Sequence, residues 1–161
     1  MNIDHDVRKR VLRALHHNVA VVTSGSEDSI VGATVTWFMQ TSFEPLLMTL
    51  AIRADSHLYE SVAESRNLII NLMDASDSDT AAHFFQTRSY GNGKLGDLSA
   101  HPHDAGGAIL ETALAWISAG VIEILARGDH HLVVVEVREI QQQVDDLKVM
   151  NLADTNWHYG G

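Results

Sequence analysis

The sequence has 161 residues, 45% of them hydrophobic, and a formal net charge of −10. This length and composition predict one soluble globular domain over residues 1–161, and the negative charge argues against binding to nucleic acid or to an anionic membrane, because phosphate groups would repel the chain. The chain contains no cysteine, which excludes disulfides, thiolate metal sites and iron–sulfur clusters. A redox function would therefore need a bound cofactor.

The N-terminal residues are charged and no apolar run approaches the roughly 20 residues of a membrane helix. We therefore expect a cytoplasmic protein.

The first half of the chain alternates short helices with β-rich runs. Val7, Val11, Leu12 and Leu15 recur at helical spacing, and β-branched residues then dominate two runs on either side of a Gly-Ser turn. In chain order, the sequence predicts a helix over residues 5–16, a hairpin over 19–37, a polar loop over 36–42, a buried strand over 46–52, a helix over 56–65, a strand over 67–73 and a helix over 77–85.

The second half is dominated by a polar segment and two long apolar runs. Residues 86–108 are rich in Gly, Ser, Asn, His and Asp and predict a long irregular segment, which in a small domain is more often functional or covered by a partner than idle. Residues 114–126 predict a long bent strand interrupted at Gly120, and residues 132–140, rich in valine, predict the clearest strand. The predicted fold class is mostly β with short helices, in an antiparallel barrel of six or more strands.

Four motifs occur in a specific order along the chain. Residues 31–47 read Val-Gly-Ala-Thr-Val-Thr-Trp-Phe-Met-Gln-Thr-Ser-Phe-Glu-Pro-Leu-Leu, and residues 52–57 read Ile-Arg-Ala-Asp-Ser-His. Residues 110–116 read Leu-Glu-Thr-Ala-Leu-Ala-Trp, and residues 128–130 form a Gly-Asp-His turn before the valine-rich strand. Together the set resembles the flavin reductase-like family of FMN-binding split barrels, over about residues 8–159. Trp37 and the Ser56-His57 pair are similar to the flavoredoxin-like branch of that family.

The resemblance implies a split β-barrel that binds FMN, with FAD possible, and that takes a hydride from NADH or NADPH. It also implies a homodimer, because the flavin site of that family lies at the subunit interface. The electrons would pass to free flavin or to a redox partner protein. Two alternatives stay open: a non-enzymatic FMN electron carrier, and a module of the same fold that holds haem or another ligand.

The family places its phosphate-binding loop at residues 52–57. Ser56 precedes a predicted helix, where free N–H groups and a hydroxyl form an anion site, and Arg53 and His57 could add charge-assisted hydrogen bonds. The alternative is that Ser56 or Asp55 is only a helix N-cap, and the Asp55 carboxylate would repel a phosphate.

The ring of the flavin would lie along the predicted loop that follows the hairpin. In similar proteins this loop supplies N–H groups and polar side chains to the isoalloxazine edge, and Trp37 would cover the ring; a solvated loop and a core tryptophan are the alternatives. The candidate residues here are Thr34, Thr36, Trp37, Met39, Gln40, Thr41 and Ser42.

Other candidates come from the second half of the chain. Lys94 could stabilise a reduced, anionic flavin, and His130, the one catalytic candidate, could face the flavin or the nicotinamide; each has a purely structural alternative. Trp157 and Tyr159 end the chain and could fold over a flavin or act as dimer-interface anchors.

The ten histidines do not form a recognisable metal motif. The pairs at His16-His17, His101/His103 and His130-His131 lack the helical or Cys/His spacing of a defined site. We therefore predict no metal site.

Overall fold

Antiparallel strands dominate the computed structural model, which describes residues 3–26 and 28–160. Within these residues the helices are α1 (His5–Arg13), α2 (His57–Ser65) and α3 (Ser78–Ala82), with a short 3-10 helix at Leu152–Asp154. The strands are β1 (Ala20–Ser24), β2 (Val31–Val35), β3 (Phe38–Ser42), β4 (Leu47–Arg53), β5 (Asn67–Leu72), β6 (Arg88–Gly91), β7 (Lys94–Leu95), β8 (Leu98–Pro102), β9 (Ala108–Leu110), β10 (Ala115–Leu125) and β11 (His130–Gln142).

Seven of these strands curl into a barrel. Their hydrogen-bonded order is β3-β4-β11-β10-β5-β1-β2, and the two end strands are consecutive in the chain. Side chains on a strand alternate between faces, so Ala20 and Val22 of β1 point into the barrel while Val19 and Val21 point out of it. The predicted antiparallel β class is confirmed.

Helix α2 packs against β1, β2 and β4, where the barrel is open. Its Leu58 and Val62 are buried in the barrel core. Ser56 caps the helix, because its hydroxyl accepts a hydrogen bond from the N–H of Tyr59 at 3.1 Å. The cap holds the N-terminus of α2 beside the end of β4.

The segment from β6 to β9 covers the outer face of β1. Asn71 and Thr23 fasten it there: the Asn71 amide binds the Ala108 carbonyl at 3.1 Å and the Leu110 N–H at 2.9 Å, and the Thr23 hydroxyl donates to the same Ala108 carbonyl at 2.7 Å. Leu95, Ala100 and Leu110 then bury against Val21.

Two sequence predictions about loops are wrong. Residues 86–108 are not irregular, because a tight turn at Asn92 and Gly93, both with positive φ, folds the segment into short paired strands. Residues 38–42 form β3 rather than a loop, since Phe38 lies opposite Leu50 of β4 and packs against the barrel core.

The other predicted elements are confirmed with shifted ends. Helix α1 ends at Arg13 and α3 at Ala82, both earlier than predicted, while β11 extends to Gln142. β10 is the long irregular strand expected, with register shifts after Ser118 and Val121. None of the helices in the described residues is long and apolar enough to cross a membrane.

Gly107 provides a test of how the β9 segment is seated. Its φ is +79°, and a Cβ there would lie 2.9 Å from Ile69 Cγ1 and 3.0 Å from the Thr23 carbonyl oxygen. We expect Gly107→Ala to lower the free energy of unfolding by about 3 kcal/mol, from left-handed strain and overpacking together. Gly93→Ala is the matched control: its φ is +74° but its Cβ would meet nothing within 4 Å, so it should lose only about 1–2 kcal/mol. If urea unfolding shows that the two variants lose the same free energy of unfolding, that result would contradict this packing.

Candidate functional site

A cavity of about 740 Å³ lies where β2, β4 and the N-terminus of α2 meet. Its volume is within the range of small-molecule and cofactor sites. The walls are formed by residues 33–37, residues 51–53, residues 55–58, residues 85–87, His130 and the C-terminal residues 152 and 157–159.

An ion pair occupies the side of the cavity at the end of β4. Arg53 donates from Nε and Nη2 to the two carboxylate oxygens of Asp55, at 3.0 and 2.7 Å. The hydrogen bond from Arg53 holds the pKa of Asp55 below its ordinary value. Asp55 therefore stays ionised at neutral pH and competes with any anionic ligand for the Arg53 guanidinium.

The other two residues of the predicted phosphate loop are also engaged. The Ser56 hydroxyl donates to the Arg53 carbonyl oxygen at 2.7 Å while it caps α2. His57 Nδ1 lies 3.0 Å from a carboxylate oxygen of Glu60. The N-cap role considered for Ser56 is thus present, and the first turn of α2 contributes the partial positive charge of a helix N-terminus to the cavity wall.

An aromatic cluster forms the part of the wall next to this ion pair, since His130 on β11 pairs with Arg53 on β4. The ring of Trp37 lies 4.8 Å from that of His130 and 5.4 Å from that of Tyr159, between centroids. Gly160 packs on the Trp37 ring so closely that a Cβ would lie 3.0 Å from Cζ2, and the Gly160 carbonyl accepts a hydrogen bond from Arg13 Nε at 3.1 Å. The C-terminal residues are thereby held over the cavity.

The tail is anchored a second time further back. Trp157 meets the ring of Phe85 edge-on at 4.6 Å, and the N–H of Leu152 donates to the His17 carbonyl at 2.7 Å. These contacts bring two aromatic residues of the tail, Trp157 and Tyr159, to one cavity.

A line of hydrogen bonds joins this wall to the surface. His130 Nε2 lies 2.6 Å from the Tyr159 hydroxyl, and His130 Nδ1 lies 3.0 Å from a carboxylate oxygen of Asp129. Burial raises the pKa of Tyr159 above its ordinary value, and the hydrogen bond with His130 lowers the pKa of Asp129. Tyr159 is therefore a neutral phenol at physiological pH and Asp129 a carboxylate.

Two polar atoms at the exit from β2 are buried without a hydrogen-bond partner among residues 3–26 and 28–160: Thr36 Oγ1 and Trp37 Nε1. A buried polar atom without a partner is costly, and a bound water or ligand is one way to satisfy it. The neighbouring Thr34 differs, because its hydroxyl donates to the Ala81 carbonyl at 2.6 Å and fixes α3 against β2.

Five of the predicted site residues lie outside this cavity. Met39, Gln40, Thr41 and Ser42 are on β3, whose pairing with β4 places them along the outer sheet; there Gln40 donates to the Ser42 carbonyl and the Thr41 hydroxyl lies 3.2 Å from that of Thr49. Lys94 is exposed in the β6–β7 hairpin, opposite Gly91, on the segment that packs against β1. The cavity of one chain gives no support to a flavin contact by these five.

The sequence prediction also missed several residues. Phe85, Gln86, Thr87, Leu152 and His158 line the cavity without having been predicted. Of these residues, only His158 could have been predicted from the sequence, because it lies within the aromatic Trp-His-Tyr run of the tail. Thr34, Thr36, Trp37, Arg53, Ser56, His57, His130, Trp157 and Tyr159 were predicted and do line it.

Comparison with known proteins gives one matching family model, described as "Flavin reductase like domain", over residues 12–160. The chain is 27% identical over 139 residues to an NADH:FMN oxidoreductase of Rhodococcus erythropolis, covering 86% of this chain and 71% of the relative. It is 28% identical over 123 residues to the reductase component of a 4-nitrophenol 4-monooxygenase/4-nitrocatechol 2-monooxygenase of Rhodococcus opacus, covering 76% and 64%.

Another relative is much longer than this chain. A putative diflavin flavoprotein of Nostoc is 24% identical over 144 residues, which cover 88% of this chain but 25% of that protein. Among solved structures, nitrilotriacetate monooxygenase component B from Mycobacterium thermoresistibile superposes with a TM-score of 0.77 at 23% identity, over 89% of this chain and 79% of the other. At that identity the superposition shows the fold alone.

Proposed function

Since this chain belongs to the flavin reductase like family, we propose that it is an FMN-binding oxidoreductase that accepts a hydride from NADH or NADPH and passes electrons to free flavin or to a partner protein. Its relatives, named as an NADH:FMN oxidoreductase and as the reductase component of a monooxygenase, support a flavin reductase function. We also propose that residues 1–161 work as one domain and, because the reaction draws on nicotinamide nucleotides, in the cytoplasm.

The observation that carries the proposal is the pair of unpartnered atoms, Thr36 Oγ1 and Trp37 Nε1, in the wall of a cavity of about 740 Å³. An isoalloxazine ring has polar atoms along one edge and apolar faces. The indole N–H can only donate, and the threonine hydroxyl can donate or accept. Both match the carbonyl and nitrogen atoms of that edge, and the aromatic cluster of Trp37, His130 and Tyr159 matches a planar ring.

The phosphate of FMN would lie beside this aromatic cluster, at the end of β4. The N-terminus of α2, Arg53 and His57 lie together there, and they supply N–H groups and positive charge. When bound, the flavin would supply the hydride chemistry; the chain supplies position and electrostatics. NADH or NADPH would stack in the same cleft, because the Gly-x-Gly-x-x-Gly run at residues 91–96 lies in the turns around β7 and does not open a helix, as a dinucleotide-binding fingerprint must.

The direct test is an absorbance spectrum of the purified protein with FMN, before and after addition of NADH or NADPH without oxygen. We expect FMN to raise the melting temperature, because a ligand that binds only the native state stabilises it, and we expect the nicotinamide to bleach the flavin band. A flavin band that persists with both nicotinamides but disappears with a reduced protein donor would favour the electron carrier. No effect of FMN on melting would contradict both, and a Soret band would indicate haem.

The Arg53–Asp55 ion pair allows a test of the phosphate position. Asp55→Asn removes a carboxylate that competes for Arg53, so FMN should bind about tenfold more tightly, which corresponds to about 1.4 kcal/mol. Riboflavin, which lacks the phosphate, should bind equally to both proteins in a fluorescence titration. Asp97→Asn, at an exposed position outside the cavity, is the control for net charge. An equal gain for riboflavin, or from Asp97→Asn, would place the phosphate elsewhere.

We also propose a homodimer, formed through the outer face of β3, β4 and β11. Met39 is 63% exposed and Leu132 is 40% exposed on this face. Leu132 pairs with Ala51, and the next outward pair along the two strands is His130 with Arg53, both in the cavity wall. The apolar face is therefore continuous with the site, so a second copy seated on it would close the cavity and bring its own β3 residues near the flavin.

Sedimentation tests this interface. We expect the wild-type protein to sediment as a dimer and Leu132→Lys as a monomer that binds FMN more weakly, because the cavity loses one wall. Leu147→Lys is the matched control, since Leu147 is 44% exposed and lies outside the β3–β4–β11 face. A wild-type monomer that binds FMN tightly would refute the interface.

A further inference from the structure

A hydrogen-bonded line runs through Asp129, His130 and Tyr159. Tyr159 lines the cavity beside Trp37 and is itself 38% exposed. The Asp129 side chain is 97% exposed, whereas that of His130 between them is 15% exposed. The line therefore joins a cavity-lining phenol to an exposed carboxylate through one largely buried imidazole.

The carboxylate sets the direction of the hydrogen bonds. Asp129 is ionised and can only accept, so Nδ1 of His130 carries the proton that faces it. In the neutral imidazole Nε2 is then an acceptor, and the Tyr159 hydroxyl donates to it across 2.6 Å. In the imidazolium, Nε2 donates to the Tyr159 oxygen instead, which frees the phenol proton to point into the cavity.

The charged groups around this line are few. Arg53 and Asp55, on and after β4, act electrostatically on Tyr159, with opposite signs. Because these two form an ion pair with each other, their effects partly cancel. Trp37 covers one side of both rings and carries no charge. Asp129 is thus the anion best placed to stabilise an imidazolium at His130.

We propose that this line is a proton relay for the reductase reaction, in which Tyr159 is the acid that faces the reacting ring, His130 is its proton reservoir and Asp129 is a positioning residue. The inference rests on the proposed function. Reduction of a flavin by NADH or NADPH moves one hydride, with two electrons, and consumes one further proton; the oxidised nicotinamide leaves. Tyr159 gives its hydroxyl proton into the cavity as His130 Nε2–H gives its own to the Tyr159 oxygen, and a proton from water then restores the imidazolium.

A purely structural role is the alternative. The same hydrogen bond also holds the tail, together with the Arg13 bond to Gly160 and the packing of Gly160 on Trp37. Tyr159→Phe separates the two roles, since it keeps the ring against Trp37 and removes only the hydroxyl. Tyr90→Phe, at a tyrosine that packs against the outer core away from the cavity, is the matched control.

The first measurement is the rate at which NADH bleaches FMN bound to each variant, in stopped-flow with H₂O and with D₂O. We expect Tyr159→Phe and His130→Gln to slow the reduction of bound FMN on the order of 10- to 100-fold, which is toward the low end of what general acid catalysis contributes. Both variants should also change the solvent isotope effect, which is the ratio of the rates in H₂O and D₂O. The dissociation constant of Tyr159→Phe for FMN should stay within about twofold, because this variant keeps the aromatic ring. The double variant should be no slower than the slower single variant, because the two residues act as one unit.

The second measurement needs no flavin. Nitrogen-15 NMR of the ligand-free protein, with the His130 signals assigned by their loss in His130→Gln, should show that the neutral form of the imidazole carries its proton on Nδ1. Asp129→Asn should shift the tautomer balance toward Nε2–H, and Tyr159→Phe should move the Nε2 resonance. A neutral His130 protonated at Nε2 in the wild-type protein would overturn the relay.

The outcomes separate the relay from the function on which it rests. If the wild-type protein binds no FMN or is not reduced by either nicotinamide, the proposed function fails and the relay fails with it. If wild-type reduction proceeds and Tyr159→Phe is reduced as fast as Tyr90→Phe with unchanged FMN binding, the relay alone is overturned. If Tyr159→Phe loses FMN binding together with the rate of FMN reduction, Tyr159 has a structural role in holding the tail, and the relay is again overturned.

Discussion

The hydrogen bond from the Ala51 N–H to the Trp37 carbonyl, at 2.8 Å, is the constraint on which the site depends. It lies where the chain leaves β2 and enters β3, so it fixes the backbone of the connection between these two strands. With that backbone pinned, Thr36 and Trp37 line the cavity, and their Oγ1 and Nε1 atoms are buried without a partner among the described residues. The Trp37 ring in turn provides the surface on which His130, Tyr159 and Gly160 assemble.

Most polar groups of the site already form hydrogen bonds with one another, and only a few are left to bind a ligand. Arg53 is matched by Asp55, the Ser56 hydroxyl by the Arg53 carbonyl and the Tyr59 N–H, and Thr34 by Ala81. The groups left to bind a ligand are Thr36 Oγ1, Trp37 Nε1 and the first turn of α2. This division explains why a chain with ten more acidic than basic residues could still hold a phosphate: local donors and a helix terminus act over short distances, whereas net charge is screened.

The sequence predicted the local features of this site better than the long-range ones. Ser56 as a helix cap, the hairpin of β1 and β2 and the valine-rich β11 follow from spacing and residue type, which are local. Residues 38–42 were predicted as part of a loop because Gln40, Thr41 and Ser42 are polar, yet the pairing of Phe38 with Leu50 makes the segment a strand. The attachment of the tail to Arg13 and Trp37 joins residues more than 100 positions apart, and no local pattern predicts it.

The central claim is that the cavity bounded by Thr36, Trp37 and the first turn of α2 holds the flavin. A crystal structure of the protein grown with FMN tests it most directly. The account predicts electron density for the isoalloxazine with polar edge atoms within hydrogen-bond distance of Thr36 Oγ1 and Trp37 Nε1, and for the phosphate at the N-terminus of α2. Density for FMN at another surface, with these two atoms still unpartnered, would contradict it.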